Sequence, residues 1–220
     1  ASLRQSVQGG TEEPIQPKNR WRPGFWQEVF SAISMLPPTL YFAYCVSVLP
    51  AGAQLSWRTW AMFYATWAHC LASMAFHLQC ALHAGTSWSH LESPLRAVDM
   101  CFIHVCTLTY GWAISGGSAA LDVAGLLVNL ACILRLLWRL ARRLPGLPEH
   151  SHRACGCVVL YTFGMAWRGD WRNYLGVLFW YGLGAVFWIR NRQMDGWGHG
   201  VFHLALTPCS RCVLNSAGII

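Results

Sequence analysis

The chain reads as an all-α polytopic membrane protein, a bundle of seven transmembrane helices. Three observations predict it. Charged residues make up 11% of the 220 and hydrophobic residues 55%, whereas a soluble domain carries roughly 25% charge. Apolar runs such as 126–140 are continuous and do not alternate, which excludes an outer-membrane barrel. The length holds about seven spans of roughly 20 residues with short connections. A disordered chain and an ordinary soluble domain are both excluded by this composition.

Residues 1–24 form a polar arm with Gly9-Gly10 and three prolines, and residues 25–220 form the bundle. The first span is expected at Phe25–Leu49, interrupted by Pro37-Pro38. Next come Ser56–Leu82, Arg96–Ile114 and Ser118–Leu140. A short fifth span covers Ala154–Trp167, followed by Asn173–Ile189 and Trp197–Asn215. Backbone groups in lipid must be satisfied within the segment, so these runs are helices. Gly182 and Gly184 in the sixth span suit close helix approach. No internal repeat is present.

The net charge is +7, from 15 Arg and a single Lys, Lys18. These cations sit at loop ends and not in one stripe, which argues against nucleic acid and for anionic lipid. With seven spans, 12 of the 16 cations fall on the side of the N-terminal arm. That side is therefore cytosolic or matrix. The ten cysteines lie mostly inside apolar runs, where Cys usually acts as a small buried hydrophobe. Cys155-Gly-Cys157 and Cys209-Ser-Arg-Cys212 have metal-like spacing, but in spans or at span ends they read as packing residues.

Ionisable groups inside a membrane are costly and are functional candidates by default. Ser73 and His77 lie four apart near the end of the second span, one turn apart on one face. Asp99 lies in the first turn of the third span, and His199 and His203 lie four apart at the start of the seventh. A single membrane histidine is most often a packing residue. These are distinguished by depth, because the map places His77, Asp99, His199 and His203 near one membrane face, as it does Glu28 at the start of the first span. Three neutral imidazoles with an open position are the ligand set of a catalytic zinc. A neighbouring carboxylate, Asp99, can hold a water and act as general base. Ser73 can hydrogen-bond a carbonyl oxygen or that water. His69 is left over, His83 and His90 read as solvated loop residues, and His104 sits one turn beyond Asp99. Asp122 opens the fourth span on the opposite face, where a carboxylate suits the helix dipole.

This pattern resembles the CREST superfamily of seven-span metal hydrolases, which includes alkaline ceramidases, adiponectin/progestin receptors and post-GPI-attachment lipid-remodelling factors. The matching stretches are Ser73-Met-Ala-Phe-His77, then Asp99, then Gly198-His199-Gly-Val-Phe-His203. The stretch from Phe25 through Glu28 to Ser34 looks like the ceramidase branch, although Met35 stands where that branch has Asn. His77 to His83 and the orientation look more like the receptor branch. Residues 14–24 contain no acid, so the ceramidase calcium site has no counterpart. The resemblance implies zinc on His77, His199 and His203, with Asp99 and Ser73 around the water. It also implies hydrolysis of an amide or ester in a lipid such as ceramide.

A second class of function is a non-catalytic accessory subunit that keeps this fold. An extended polar arm gains order on binding, so residues 1–24 are expected to lie against other subunits of a large membrane complex. A chain starting at Ala1 fits a cleaved organellar presequence, which favours the mitochondrial inner membrane, within a respiratory or ATP synthase complex.

Overall fold

A computed structural model of the protein describes residues 22–50, 53–147 and 149–220. Residues 1–21 of the arm, with their expected contact to partner subunits, lie outside the described residues. Among those described there are eight α-helices, one short 3₁₀ turn and no strand. They are α1 (Phe25–Ile33), α2 (Leu36–Ser47), α3 (Trp57–Leu82), α4 (Pro94–Ile114), α5 (Ala119–Ala141), α6 (Glu149–Trp167), α7 (Trp171–Ile189) and α8 (Gly198–Ser216).

The first expected span is two helices. The break falls at Ser34 and Met35, before the prolines and not at them. Proline lacks an N–H and clashes with the preceding turn, but it is tolerated in the first turn of a helix. Pro37 and Pro38 therefore start α2, and the chain steps sideways just before them. The other helices follow the expected spans closely, except that α6 begins at Glu149 and not near Ala154. Starts are fixed by side chains that accept from otherwise unpaired backbone N–H groups. Ser56 caps α3, Ser93 caps α4, Ser118 caps α5 and Asp170 caps α7. Each such cap contributes about 1 kcal/mol.

Among the described residues, three segments are long and apolar enough to cross a membrane, namely Phe25–Ser47, Pro94–Ile114 and Ala119–Ala141. Helices α3, α6, α7 and α8 match them in length, with 19 residues or more. Nineteen residues rise about 28 Å, close to the hydrocarbon thickness. Of these, α3, α6 and α7 carry more His, Arg, Tyr and Trp, and α8 carries Gly, Ser, His and Asn, which lowers their aliphatic character. Large apolar side chains face outward throughout. Leu127, Leu134, Leu137 and Trp138 on α5, and Leu175 and Phe179 on α7, are exposed. Patches of this kind mark contact with membrane or protein.

Helix α4 is central and packs on α3, α5, α6 and α8, while α1 lies between α3 and α8. The tightest core sits at one end, where Phe42, Met62, Ile114, Met165, Val177 and Leu214 are almost completely buried. At that end Arg58 of α3 pairs with Asp122 of α5 at 2.9 Å, which gives Asp122 a structural partner and no part in the histidine site. At the other end, α3 finishes and α4 and α8 begin.

Gly182 and Gly184 of α7 play different parts. A Cβ on Gly184 would lie 2.9 Å from the Phe202 ring and 3.1 Å from the Ala205 methyl of α8, whereas one on Gly182 would meet nothing within 4 Å. Gly184, and not Gly182, is at a close α7–α8 approach, as are Gly176 against Cys212 and Gly198 against the Phe187 carbonyl. Gly184→Leu should destabilise the bundle by about 1–3 kcal/mol through overpacking, and Gly182→Leu by less than about 0.5 kcal/mol. Thermal unfolding of the two variants in the same detergent measures the difference.

Candidate metal centre

The site is built from three helix ends. Helix α3 carries His69, Ser73 and His77 four residues apart, and therefore on one face. His77 is 2% exposed and Ser73 also 2%. Helix α8 carries His199 and His203 one turn apart. Its start is fixed from outside. The α7–α8 turn reverses through Asp195 and Gly196, both with positive φ (49° and 95°), and the His199 backbone N–H donates to Asn191 Oδ1 at 3.0 Å. Glycine takes the φ of Gly196 without steric penalty.

The three imidazoles converge. Ring centroids of His77 and His199 are 4.7 Å apart, those of His199 and His203 4.7 Å, and those of His77 and His203 5.4 Å. One nitrogen from each lies within 4.8 Å of the others. Residues 122 and 126 positions apart in sequence thus share one point.

Helix α1 decides which nitrogens face that point. His77 Nδ1 lies 2.7 Å from Glu28 Oε2, and a carboxylate accepts, so Nδ1 carries the proton. His203 Nδ1 donates to the Ser31 carbonyl at 2.9 Å, with Ser34 Oγ at 3.1 Å. Ser34 Oγ also donates to the Ser31 carbonyl at 2.8 Å. Both rings are therefore held as the tautomer with a bare Nε2. Metal-ligating histidines nearly always donate the other ring N–H to a carboxylate or carbonyl, which fixes the ring and raises ligand basicity. The residues fit a metal ion on that ground. Three neutral nitrogens can hold it and leave a fourth position free.

Asp99 lines the same cavity but is not one of the convergent donors. Its buried Oδ1 lies 3.5 Å from His69 Nε2, an ion-pair contact without hydrogen-bond geometry. His69, left over in the sequence reading, is thus the partner of Asp99. Its signal was the 69, 73, 77 spacing on one helical face. Glu28 was noted for its depth without a role, and the recurring interval of Glu28, Ser31 and Ser34 is what aims all three at the histidines. His83 and His90 are not simply solvated. Both are half-buried and line the cavity, and His83 stacks on Trp88 with centroids 4.6 Å apart. His104 does not support Asp99. It turns toward α5 and bonds Asn129 at 3.0 Å.

The cavity has a volume of about 530 Å³. It extends from the loop end, past the histidines, along apolar groups that include Phe76, Ile103, Tyr161 and Val213. Arg22 reaches its rim, donating to the carbonyls of Thr86 and Trp88. Comparison of the chain with protein families, curated proteins and solved structures finds no significant match.

Removing the Glu28 carboxylate should leave the three nitrogens in place but loosen His77. Glu28→Ala is expected to weaken zinc affinity about 10–100-fold. Glu28→Gln, whose amide oxygen can still accept from Nδ1, should weaken it less. Competition with a calibrated chelator measures both.

Proposed function

We propose that the chain is an integral membrane hydrolase that uses a zinc ion on His77, His199 and His203 to cleave an amide or ester bond of a lipid. The observation that supports it most is the arrangement of His77 and His203, each holding its Nδ1 proton on an acceptor from α1 while a bare nitrogen faces a shared point on a mainly apolar cavity.

Zinc held there would supply Lewis acidity, polarising a carbonyl and making water a nucleophile near neutral pH. The chain supplies the rest. Asp99 offers a buried carboxylate on the cavity, suited to take a proton from water. His69, beside it, keeps the carboxylate oriented. Ser73, one turn from His77 on the same face, can donate to a carbonyl oxygen. Water adds to the carbonyl carbon, the C–N or C–O bond breaks, and the proton held by Asp99 passes to the leaving atom. The products are a free acid and an amine or alcohol. A lipid suits the site because the cavity is lined mostly by apolar groups and can take an acyl chain. In this reading all seven helical segments cross the bilayer, with the arm on the cytosolic or matrix side.

The test is zinc-loaded, full-length protein in nanodiscs containing a ceramide or a phospholipid, with free fatty acid measured by mass spectrometry. His203→Ala should lose both zinc and release of acid. Asp99→Asn should keep zinc and lose at least about 100-fold in rate. Zinc-loaded wild-type protein that releases no acid from either lipid would overturn the hydrolase. Unchanged turnover in Asp99→Asn would remove Asp99 from the mechanism.

A further inference from the structure

A second cluster of ligand-type side chains lies on the far side of α4. His104 of α4, Cys132 of α5 and Cys157 of α6 each offer one donor atom within 4.8 Å of the others. None of the three lines the large cavity. His104 is 1% exposed and Cys157 4%, and all ten cysteines are free thiols. The Cys155-Gly-Cys157 spacing is not a chelate. Two residues apart on a helix point to nearly opposite sides, and Cys155 faces the cavity while Cys157 faces His104 and Cys132.

The tautomer of His104 is fixed here as well. Asn129 Nδ2 donates to the Gly125 carbonyl at 2.9 Å, which turns Oδ1 toward α4. Oδ1 accepts from Thr107 Oγ1 at 2.5 Å and from His104 Nδ1 at 3.0 Å. Nδ1 carries the proton, and Nε2 is the nitrogen left to act as ligand. Asn129 is itself 4% exposed. This is the same device found at the first cluster, an outer nitrogen satisfied by a fixed acceptor.

We propose that His104, Cys132 and Cys157 form a second, structural zinc site that ties α4, α5 and α6 together. Binding would form two Zn–S bonds and one Zn–N bond, take a water as fourth ligand, and release two thiol protons. Charge selects the ion. Two thiolates and a neutral imidazole carry a charge of −2, so a divalent ion makes the set neutral, which is what a low-dielectric interior requires. Soft thiolates with one imidazole suit zinc. The site also answers a packing deficit, since only Asn129 and Leu136 of α5 are buried. With no hydrophobic drive between helices in lipid, close packing, polar contacts and coordinate bonds are what can hold α5 to its neighbours.

Cobalt(II) replacing zinc in the full-length protein separates this site from the first. Thiolate-to-cobalt charge transfer gives a near-ultraviolet band that a three-histidine site cannot produce. Wild-type protein and the His77→Ala/His203→Ala variant should both show the band. Cys132→Ser/Cys157→Ser should lose it, with bound cobalt falling by about one equivalent. His104→Ala, which leaves both thiols, should weaken cobalt binding at least about 10-fold and covers the case in which the double cysteine variant fails to fold. Absence of the band from wild-type protein would overturn the proposal. So would its persistence in the double cysteine variant, or a Cys132–Cys157 disulfide in non-reduced peptide maps.

Discussion

The hydrogen bond from His77 Nδ1 to Glu28 is the contact on which the histidine end of the molecule depends. An imidazole buried in an apolar interior must satisfy both nitrogens, or the unpaired one costs about 1–3 kcal/mol. Helix α1 satisfies the Nδ1 of a ring on each of two helices at once, with the Glu28 carboxylate for α3 and the Ser31 carbonyl for α8. The Ser31 carbonyl is free to accept because the helix ends at Ile33 and turns aside at Ser34. In a continuous helix that oxygen would accept a backbone N–H four residues on. The Pro37-Pro38 pair, by forcing a new start to α2, thus contributes to the tautomer of a histidine on α8.

The bundle divides its two ends by what they bury. One end packs Phe42, Met62, Ile114, Met165 and Leu214 with little exposure. The other opens into the cavity and places Glu28, His77, Asp99, His199 and His203 around it. At the open end, hydrogen bonds from Glu28, Ser31 and Asn191 hold the polar groups in place. Helix α4 serves both sides of the molecule. It presents Asp99 to the cavity and, five residues later, His104 to α5. Five residues turn an α-helix through about 500°, so the two cannot share a face.

The helices were legible in the sequence because apolar runs and breakers act locally. The ends of α3, α4, α5, α7 and α8 lie within two residues of the expected spans. The start of α6 was missed because Glu149, His150 and Arg153 are polar and ended the apolar run, although polar residues are ordinary in the first turn of a helix near an interface. The break in the first span was placed two to three residues late, because proline acts on the turn before it.

Convergence of the three histidines was also legible. Spacing of four fixes a helical face, and the direction of each helix fixes which end a residue lies at, so the sequence by itself indicated which residues share one end of the bundle. It could not determine what they touch. Glu28 on His77, Ser31 on His203, His69 on Asp99, and the meeting of His104 with Cys132 and Cys157 all depend on the rotation of each helix about its own axis. That rotation is set by packing against neighbours, as at Gly184 against Phe202 and Ala205, and hydrophobic periodicity loses its meaning where lipid is as apolar as the core. Depth is written along the chain, whereas azimuth exists only once the helices are packed.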